Sequence, residues 1–300
     1  MRKTGVVFIL LSAISIEMAL AQSFYSGSRD RAWMVSLGTG ISSYFGEVNN
    51  PKDKFDTKLN IEFGLKYMFA PRFGARLNVT WFRLQGDDAT SKYDPIIERN
   101  LSFRSDNLEV AVMGIAQLIP EGSRFYQRPR FNPYLFAGIG YLYFNPKAEA
   151  PAEYNGQPLP DAGKWVPLQP LMTEGVDYKR SAFVIPYGVG VNIRISPFFN
   201  LVIDGGYRWT FTDYLDDAST VHKDPASFSD PLAAALADRR PEIGKAPAEE
   251  GDIRGNPDRN DGYFLLNAKI EYFLPSEFFQ NIFGGGDKLR TIKVKRRRRR

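Results

Sequence analysis

The side chains that could support hydrolytic chemistry in this 300-residue chain lie together in the stretch "DASTVHKDPAS". It contains the single histidine, His222, with Ser219 and Asp224 close by in sequence. A hydrolase must hold a serine, a histidine and a carboxylate together at the end of a rigid element. No strand or helix pattern positions these three residues, so we predict a solvated loop and no enzyme activity. The absence of cysteine excludes disulfides, thiolate metal sites and thiol catalysis.

Carboxylates cluster at several places outside the apolar segments, and oxygen ligands of this kind can bind Ca²⁺. The clusters are Asp87 with Asp88, Asp213 with Asp216 and Asp217, and Asp258 with Asp261. None has the spacing of a known calcium loop. We therefore expect surface carboxylates, some of them paired with Arg254 or Arg259, and we predict no metal and no cofactor.

Alternation of period two dominates the rest of the chain and predicts the β-strands that must position these groups. In residues 200–211, Tyr207, Trp209 and Phe211 share one face, whereas Asp204 and Arg208 share the other. The same pattern recurs, and eight strands are predicted near 32–45, 58–69, 72–86, 104–119, 132–145, 181–195, 199–213 and 262–273. A short helix is also predicted within "PLAAALADRR", between Pro231 and Pro241.

The connections between these strands alternate in length. Those after the second, fourth and sixth strands are short, and the longest lie near 146–180 and 214–261. Short turns on one side and long loops on the other are typical of an outer-membrane barrel. The predicted fold is all-β: an eight-stranded antiparallel transmembrane β-barrel with short periplasmic turns and long extracellular loops. The alternative is a secreted β-sandwich with one hydrated face.

The polar faces of the strands carry both acids and bases, which a barrel would enclose. The predicted lumen charges are Glu62, Lys66, Arg76, Glu109, Arg194, Asp204, Arg208, Lys269 and Glu271. Opposite charges across neighbouring strands would offset the cost of removing each of them from water. Because the interior of an eight-stranded barrel is just filled by side chains, we expect a plugged lumen and no pore.

The two ends of the chain differ from its body. Residues 1–21 combine a basic start, a short apolar run and an Ala-Leu-Ala cleavage site, the features of a secretory signal peptide. The overall net charge of +5 is misleading: residues 287–300 contribute +8 and the signal region +1, which leaves about −4 for residues 22–286. We expect a barrel domain at 22–274 in the outer membrane, both termini in the periplasm, and a basic tail at 275–300.

The tail combines an apolar cluster with a run of positive charge. Three anionic partners suit it: phospholipid headgroups, peptidoglycan carboxylates or an acidic periplasmic protein. Nucleic acid would be the ordinary partner of such a run, but the signal peptide directs the chain away from it. The predicted partner-binding residues are Phe279 and Phe283 as anchors, and Lys288, Arg290, Arg296, Arg297, Arg298, Arg299 and Arg300 as steering charges. The simpler alternative is a disordered tail without a partner.

Several segments resemble one known protein family. They are "YFGEVNN" (44–50), "RLQGDD" (83–88), "RNLSFRS" (99–105), "PYLFAGIGYLYFNPKA" (133–148), "PLQPLMTEG" (167–175), "IPYGVGV" (185–191), "GYRWTFTDYLDD" (206–217) and "RGNP" (254–257). In this order, from about 33 to 273, they look like the PorG family, the outer-membrane barrel subunit of the type IX secretion system of Bacteroidota. Many of them lie in loops or at strand ends, where the alternation of a barrel does not dictate the residue.

This resemblance implies a non-enzymatic protein that tethers a periplasmic ring of PorK-like lipoprotein and PorN-like subunits to the outer membrane. The alternative is a stand-alone small outer-membrane barrel that acts as an adhesin or stabilises the membrane, with the long loops as its functional part.

Overall fold

The computed structural model describes residues 32–48, 57–122, 124, 126–275 and 278. Eight long strands dominate it: β1 (Trp33–Phe45), β2 (Thr57–Met68), β3 (Phe73–Asp87), β4 (Ser102–Gln117), β5 (Phe131–Tyr143), β6 (Ser181–Arg194), β7 (Phe199–Thr210) and β8 (Gly262–Phe273). Each lies within three residues of its predicted bounds. The predicted signal peptide at 1–21 lies outside the described residues, as does nearly all of the tail.

The eight strands form one closed antiparallel barrel. Each strand pairs with its neighbour in sequence, and β1 closes the barrel by pairing with β8, from Met34 opposite Phe273 to Phe45 opposite Gly262. Closure leaves no unpaired strand edge, which a spanning sheet requires because lipid offers no hydrogen-bond partners. The predicted fold class is confirmed, and the β-sandwich alternative is wrong.

The outer face of the barrel is an apolar belt. Large side chains remain extensively exposed on it, including Leu37 (63%), Ile139 (69%) and Phe183 (65%). In water a continuous apolar surface of this kind would promote aggregation, whereas lipid covers it. On β7, Trp209 is 53% exposed, while Asp204 and Arg208 are 3% and 2% exposed. The alternation in this strand therefore separates a lipid face from an interior face.

The two ends of the barrel differ. The connections 69–72, 118–130 and 195–198 lie at one end, here called the turn end, and the chain enters β1 and leaves β8 there, where Leu274 N donates to Trp33 O at 2.9 Å. The longer connections 88–101, 144–180 and 211–261 lie at the opposite, loop end, together with the connection between β1 and β2.

The loops at the loop end contain short regular elements. Among them are the helices α1 (Asp94–Arg99) and α2 (Pro231–Ala237). Short 3₁₀ turns also occur in these loops, at Asp88–Thr90, Gln169–Leu171, Pro225–Ser227 and Arg240–Ile243. Short strands at Pro146–Glu149 and Trp165–Pro167 extend the sheet beyond β4, and Glu153–Tyr154 pairs with Gln157–Pro158.

Helix α2 confirms the predicted helix. Asp230 caps it by accepting from Leu232 N, and Pro231 occupies its first turn, where no hydrogen bond from its nitrogen is needed. The helix ends at Ala237, and Pro241 lies in the following 3₁₀ turn. No helix in the described ranges has the length and apolar character needed to span a membrane.

Candidate functional site

The interior of the barrel is filled by buried ion pairs. Lys269 Nζ lies 2.6 Å from Glu62 Oε1 and 2.7 Å from Asp204 Oδ2. Arg76 Nη1 reaches the same Asp204 oxygen at 2.7 Å, and the Tyr134 hydroxyl donates to it at 2.7 Å. All five residues are at most 4% exposed. Five strands, β2, β3, β5, β7 and β8, are thus joined across the lumen through two carboxylates.

Two further buried pairs extend this network toward the ends of the barrel. Lys66 Nζ lies 2.5 Å from Glu271 Oε2. Nearer the loop end, Glu109 Oε2 accepts from the Tyr263 hydroxyl at 2.5 Å and lies 3.5 Å from Arg208 Nε. The network contains four acids and four bases: Glu62, Glu109, Asp204 and Glu271 with Lys66, Arg76, Arg208 and Lys269. Equal numbers of opposite charges reduce the cost of burying each of them.

One of the nine predicted lumen charges lies elsewhere. Arg194 is the last residue of β6, and its side chain is only partly buried at the turn end. It donates to the carbonyl oxygens of Tyr126 and Arg128, both at 3.1 Å, and to no carboxylate that the structure describes. The prediction that Arg194 joins the network is wrong because strand β6 ends at this residue, at the turn end of the barrel.

A barrel filled in this way should not conduct. We expect the purified protein, reconstituted in a planar bilayer, to give no stable open channel, because eight strands leave only enough interior space for the side chains themselves. Single-channel recording tests this expectation. A steady conductance that persists with the loops intact would contradict it.

The second polar assembly lies at the loop end and is here called the loop cap: Glu47, Val48, Asp88, Arg99, Thr173, Glu174, Asp213, Asp216, Asp217, Arg254 and Asp261. Arg99 joins three of its connections. Its Nε lies 2.7 Å from Asp88 Oδ2, its Nη1 donates to Arg254 O at 2.7 Å, and its Nη2 donates to Glu47 O at 3.0 Å. The connection after β1, the connection after β3 and the last loop are therefore fixed by one guanidinium group.

Arg254 has the same role for the two longest loops. Its Nη1 lies 2.9 Å from Glu174 Oε1, and its guanidinium also contacts the backbone oxygen and the carboxylate of Asp217. Asp217 in turn accepts from the hydroxyls of Thr173 at 2.5 Å and Tyr178 at 2.6 Å. The pairing of Arg254 with acids agrees with the prediction, whereas Arg259 is exposed and forms no ion pair with any described residue.

The loop cap packs on apolar side chains that cover the loop end of the barrel. Tyr44, Phe82, Phe103, Phe144 and Leu215 belong to this buried cluster, and each is at most 5% exposed. Close backbone packing depends on small residues. A Cβ at position 255 would lie 2.5 Å from Ser219 N and 2.6 Å from the Ala218 carbonyl carbon, which explains the glycine of "RGNP".

Burial shifts the titration of the cap carboxylates. Burial raises the pKa of Asp217 to about 6, although the charge of Arg254 opposes the shift. Burial, together with the charge of Asp216, raises the pKa of Glu47 to about 7. Burial and the charges of Glu47 and Asp216 raise the pKa of Asp213 to about 8. The prediction of solvated or arginine-paired surface acids is therefore wrong for Asp213, which is buried without an arginine partner among the described residues because the loops fold over it.

The three residues that suggested hydrolytic chemistry do not form a triad. Asp224 accepts from Ala226 N at 2.9 Å and caps a 3₁₀ turn. His222 is 1% exposed, and neither ring nitrogen has a hydrogen-bond partner among the described residues. Burial and the charge of Arg254 lower the pKa of His222 to about 4, so the ring is neutral near pH 7. The stretch was predicted to be a solvated loop, but Ser219 and His222 are buried within it.

Sequence reasoning missed Arg99, Thr173 and Glu174 as members of this assembly, although a signal was present. Every residue of the loop cap except Asp261 lies in a segment that carries the family resemblance, such as "RNLSFRS", "PLQPLMTEG" or "GYRWTFTDYLDD". The predicted tail residues Phe279, Phe283, Lys288, Arg290 and Arg296–Arg300 lie outside the described residues.

Several solved structures are similar to the chain at low sequence identity. The chain resembles Neisserial surface protein A (9% identity, TM-score 0.40). The alignment covers 81% of this chain and 97% of Neisserial surface protein A. It also resembles the outer membrane protein OprG from Pseudomonas aeruginosa (11% identity, TM-score 0.41), with 81% of this chain and 97% of that one covered. A third similar structure is that of the outer membrane enzyme PagL (11% identity, TM-score 0.33). The alignment covers 80% of this chain and 99% of PagL. No curated protein matches the chain.

The family comparison is more specific than these structural similarities. The model of the outer membrane protein beta-barrel domain matches residues 6–227, which is most of the chain and includes the first seven strands. This match, together with the closed barrel and its apolar belt, indicates an outer-membrane location. The chain belongs to the outer membrane protein beta-barrel domain family.

Proposed function

We propose that this barrel is a non-enzymatic component of the type IX secretion system that tethers a periplasmic ring of PorK-like lipoprotein and PorN-like subunits to the outer membrane. The supporting observation is the composition of the loop cap. The segments that resemble the PorG family supply Glu47, Asp88, Arg99, Glu174 and Arg254. Residues from four separate connections thus meet in one buried assembly.

This convergence matters because scattered similarity would not produce it. Glu47 and Arg254 are more than two hundred positions apart, yet Arg99 donates to the carbonyl oxygens of both. A resemblance that follows the members of one three-dimensional assembly supports a shared structure of the loop end, beyond the barrel that many unrelated functions use.

In this proposal the turn end faces the periplasm and the ring. The turn end carries both chain ends of the described barrel and exposes Arg72 and Arg130. Arg128 is not available to a partner there: its Nη2 donates to Ser196 O at 2.8 Å, its Nε donates to Asn200 Oδ1 at 3.0 Å, and its guanidinium lies over the Phe273 ring. Arg128 instead closes the turn end of the barrel.

The tail is the proposed docking segment, and its removal is a direct test. Because Leu274 is buried and hydrogen-bonded to Trp33, the truncation should follow Pro275. We expect the truncated protein to remain a folded, heat-modifiable barrel in the outer membrane but to lose the ring proteins when it is purified from detergent extracts. The purification should use about 0.3 M salt, at which exposed charge pairs are largely screened.

Two full-length variants separate the contributions of the tail. Phe279→Ala with Phe283→Ala should reduce co-purification at every salt concentration, because an apolar anchor is insensitive to screening. Replacing the tail arginines and lysines with glutamine should mainly slow association at low salt. If the truncated protein retains the ring at the level of the full-length protein, the tail is not the tether, and the exposed turn arginines Arg124 and Arg130 become the docking candidates.

The long ordered loops favour a second candidate, a stand-alone barrel whose loop end acts as an adhesin or whose belt stabilises the membrane. Residues 144–180 and 211–261 form a large part of the described chain and fold into the loop cap and its surroundings. Purification as a lone monomer by the same pull-down would support this candidate and count against the tether.

A further inference from the structure

Four carboxylates in the loop cap form no ion pair with any described residue: Glu47, Asp213, Asp216 and Asp261. Both arginines of the cap are committed to other acids, Arg99 to Asp88 and Arg254 to Glu174 and Asp217. This differs from the barrel interior, where four acids meet four bases. Negative charge therefore accumulates at one place in the cap.

Three of these carboxylates have the spacing of ligands to one ion. One oxygen each from Glu47, Asp216 and Asp261 lie within 4.8 Å of one another. Two ligands on opposite sides of a Ca²⁺ ion are about 4.6–5.2 Å apart, twice the usual calcium–oxygen distance, and other pairs of ligands are closer. For Mg²⁺ the corresponding limit is about 4.2 Å, with a stricter octahedral geometry. Mg²⁺ also usually keeps several waters and binds only one or two carboxylates, so a set of three carboxylates favours Ca²⁺.

Backbone and tyrosine donors already orient two of the three. Asp216 accepts from Val48 N and Ala218 N at 2.9 and 3.0 Å. Asp261 accepts from the Tyr44 hydroxyl at 2.5 Å and from Leu215 N at 2.9 Å. Hydrogen bonds donated to a carboxylate favour its charged form, and they leave further lone pairs on each oxygen for a cation.

Independent of this spacing, Asp213 is buried without a partner. It is 7% exposed, and neither of its carboxylate oxygens forms a hydrogen bond of acceptable geometry with a described residue. Glu47 and Asp216 are the acids whose charges act most strongly on it. Glu47 Oε2 is buried and unpartnered as well. A buried carboxylate without a partner carries a desolvation cost that a bound cation would offset.

We propose that the loop cap contains a Ca²⁺ site formed by Glu47, Asp216 and Asp261, and that the buried Asp213 adds to the negative charge of this region. The ion joins the end of β1, the start of the last loop and the residue before β8, so it fixes the loop cap on the barrel. The site depends on neither the secretion role nor the adhesin role.

The test uses the refolded full-length protein in detergent, freed of divalent ions with a chelator and then titrated with Ca²⁺ alone or Mg²⁺ alone. We expect calorimetry to show one Ca²⁺ per chain, bound more tightly than Mg²⁺, with a dissociation constant of about 10⁻⁴–10⁻³ M or lower, the range of extracellular calcium modules. Tb³⁺ should occupy the same site and show luminescence sensitised by Tyr44, whose hydroxyl contacts Asp261. Ca²⁺ should displace it.

Two variants and one matched control locate the site. Glu47→Gln and Asp216→Asn should each weaken Ca²⁺ binding by roughly tenfold or more, by loss of a charged ligand. Asp258→Asn removes an exposed carboxylate from the same loop region and should leave the affinity unchanged. Heat-modifiability on gels shows whether each variant is folded. Glu47 is the most exposed of the three ligands, so Glu47→Gln is the variant least disruptive to folding.

Three results would overturn the proposal. The first is wild-type protein that binds no Ca²⁺ at millimolar concentration and neutral pH. The second is undiminished binding in the folded Glu47→Gln variant. The third is an equal loss of affinity in Asp258→Asn, which would place the ion elsewhere in the loops.

Discussion

Replacing Lys269 with methionine is expected to destabilise the barrel by about 3–5 kcal/mol, the usual cost of breaking a buried ion pair by removing one partner. Lys269 is 1% exposed and lies between Glu62 and Asp204. Asp204 keeps Arg76 and Tyr134 as partners, but Glu62 keeps only the amides of Asn78 and Asn267. The loss should appear as a lower free energy of unfolding by urea in detergent or lipid vesicles.

A second substitution shows whether uncompensated charge causes the loss. Glu62→Gln in the Lys269→Met background removes the charge left without a cation, so the double variant should be more stable than Lys269→Met alone. Lys164→Met is the matched surface control, because Lys164 pairs with Asp161 at 2.9 Å but is 69% exposed. Such a pair contributes at most about 1 kcal/mol. Equal losses for Lys269→Met and Lys164→Met would contradict the interior network.

Replacing Val189 with arginine is expected to reduce stability by about 2–4 kcal/mol, the cost of a basic side chain near the bilayer midplane on the lipid face of a barrel. Val189 lies near the middle of the lipid face of β6 and is 61% exposed. The measurement is again urea unfolding in vesicles, together with the heat-modified fraction of protein assembled in the outer membrane.

The control for this prediction must occupy the same position. Val189→Leu keeps the apolar face and should assemble normally. The neighbouring lumen position would mislead, because a Cβ at Gly190 would lie 2.5 Å from Tyr134 Cζ and 2.7 Å from Asp204 Cβ. A serine at this position would have to displace both side chains, so Gly190→Ser is not a neutral control. If Val189→Arg is tolerated as well as Val189→Leu, this face does not contact lipid.

The barrel was predictable from sequence because side chains alternate between the two faces of a strand, and in a membrane barrel one face contacts lipid and the other faces the interior. Each outward position on β2 or β7 is apolar over many residues, so alternation alone identified the face of Asp204 and Arg208. Alternation could not show that Arg194 lies outside the lumen, because a periodic pattern does not show at which residue a strand ends. That end is decided by the carbonyl groups of the turn at 118–130.

The loop cap was not predictable in the same way. Its contacts join residues far apart in sequence, such as Glu174 with Arg254, and loops have no periodicity that indicates burial. From the sequence, Asp213, Asp216 and Asp261 are expected to be solvated, because they are charged and lie in loops. In the structure all three are buried. The resemblance segments contained the missing information, but only the folded chain shows that they meet.

The most direct measurement of the proposed function is protein secretion by cells of the source organism that lack this barrel. We expect deletion of the gene to abolish export of proteins that carry the C-terminal signal domain of the type IX system and to leave them in the periplasm, and we expect the full-length chain to restore export. Export at an undiminished level in the deletion strain, with the absence of the barrel verified, would contradict it.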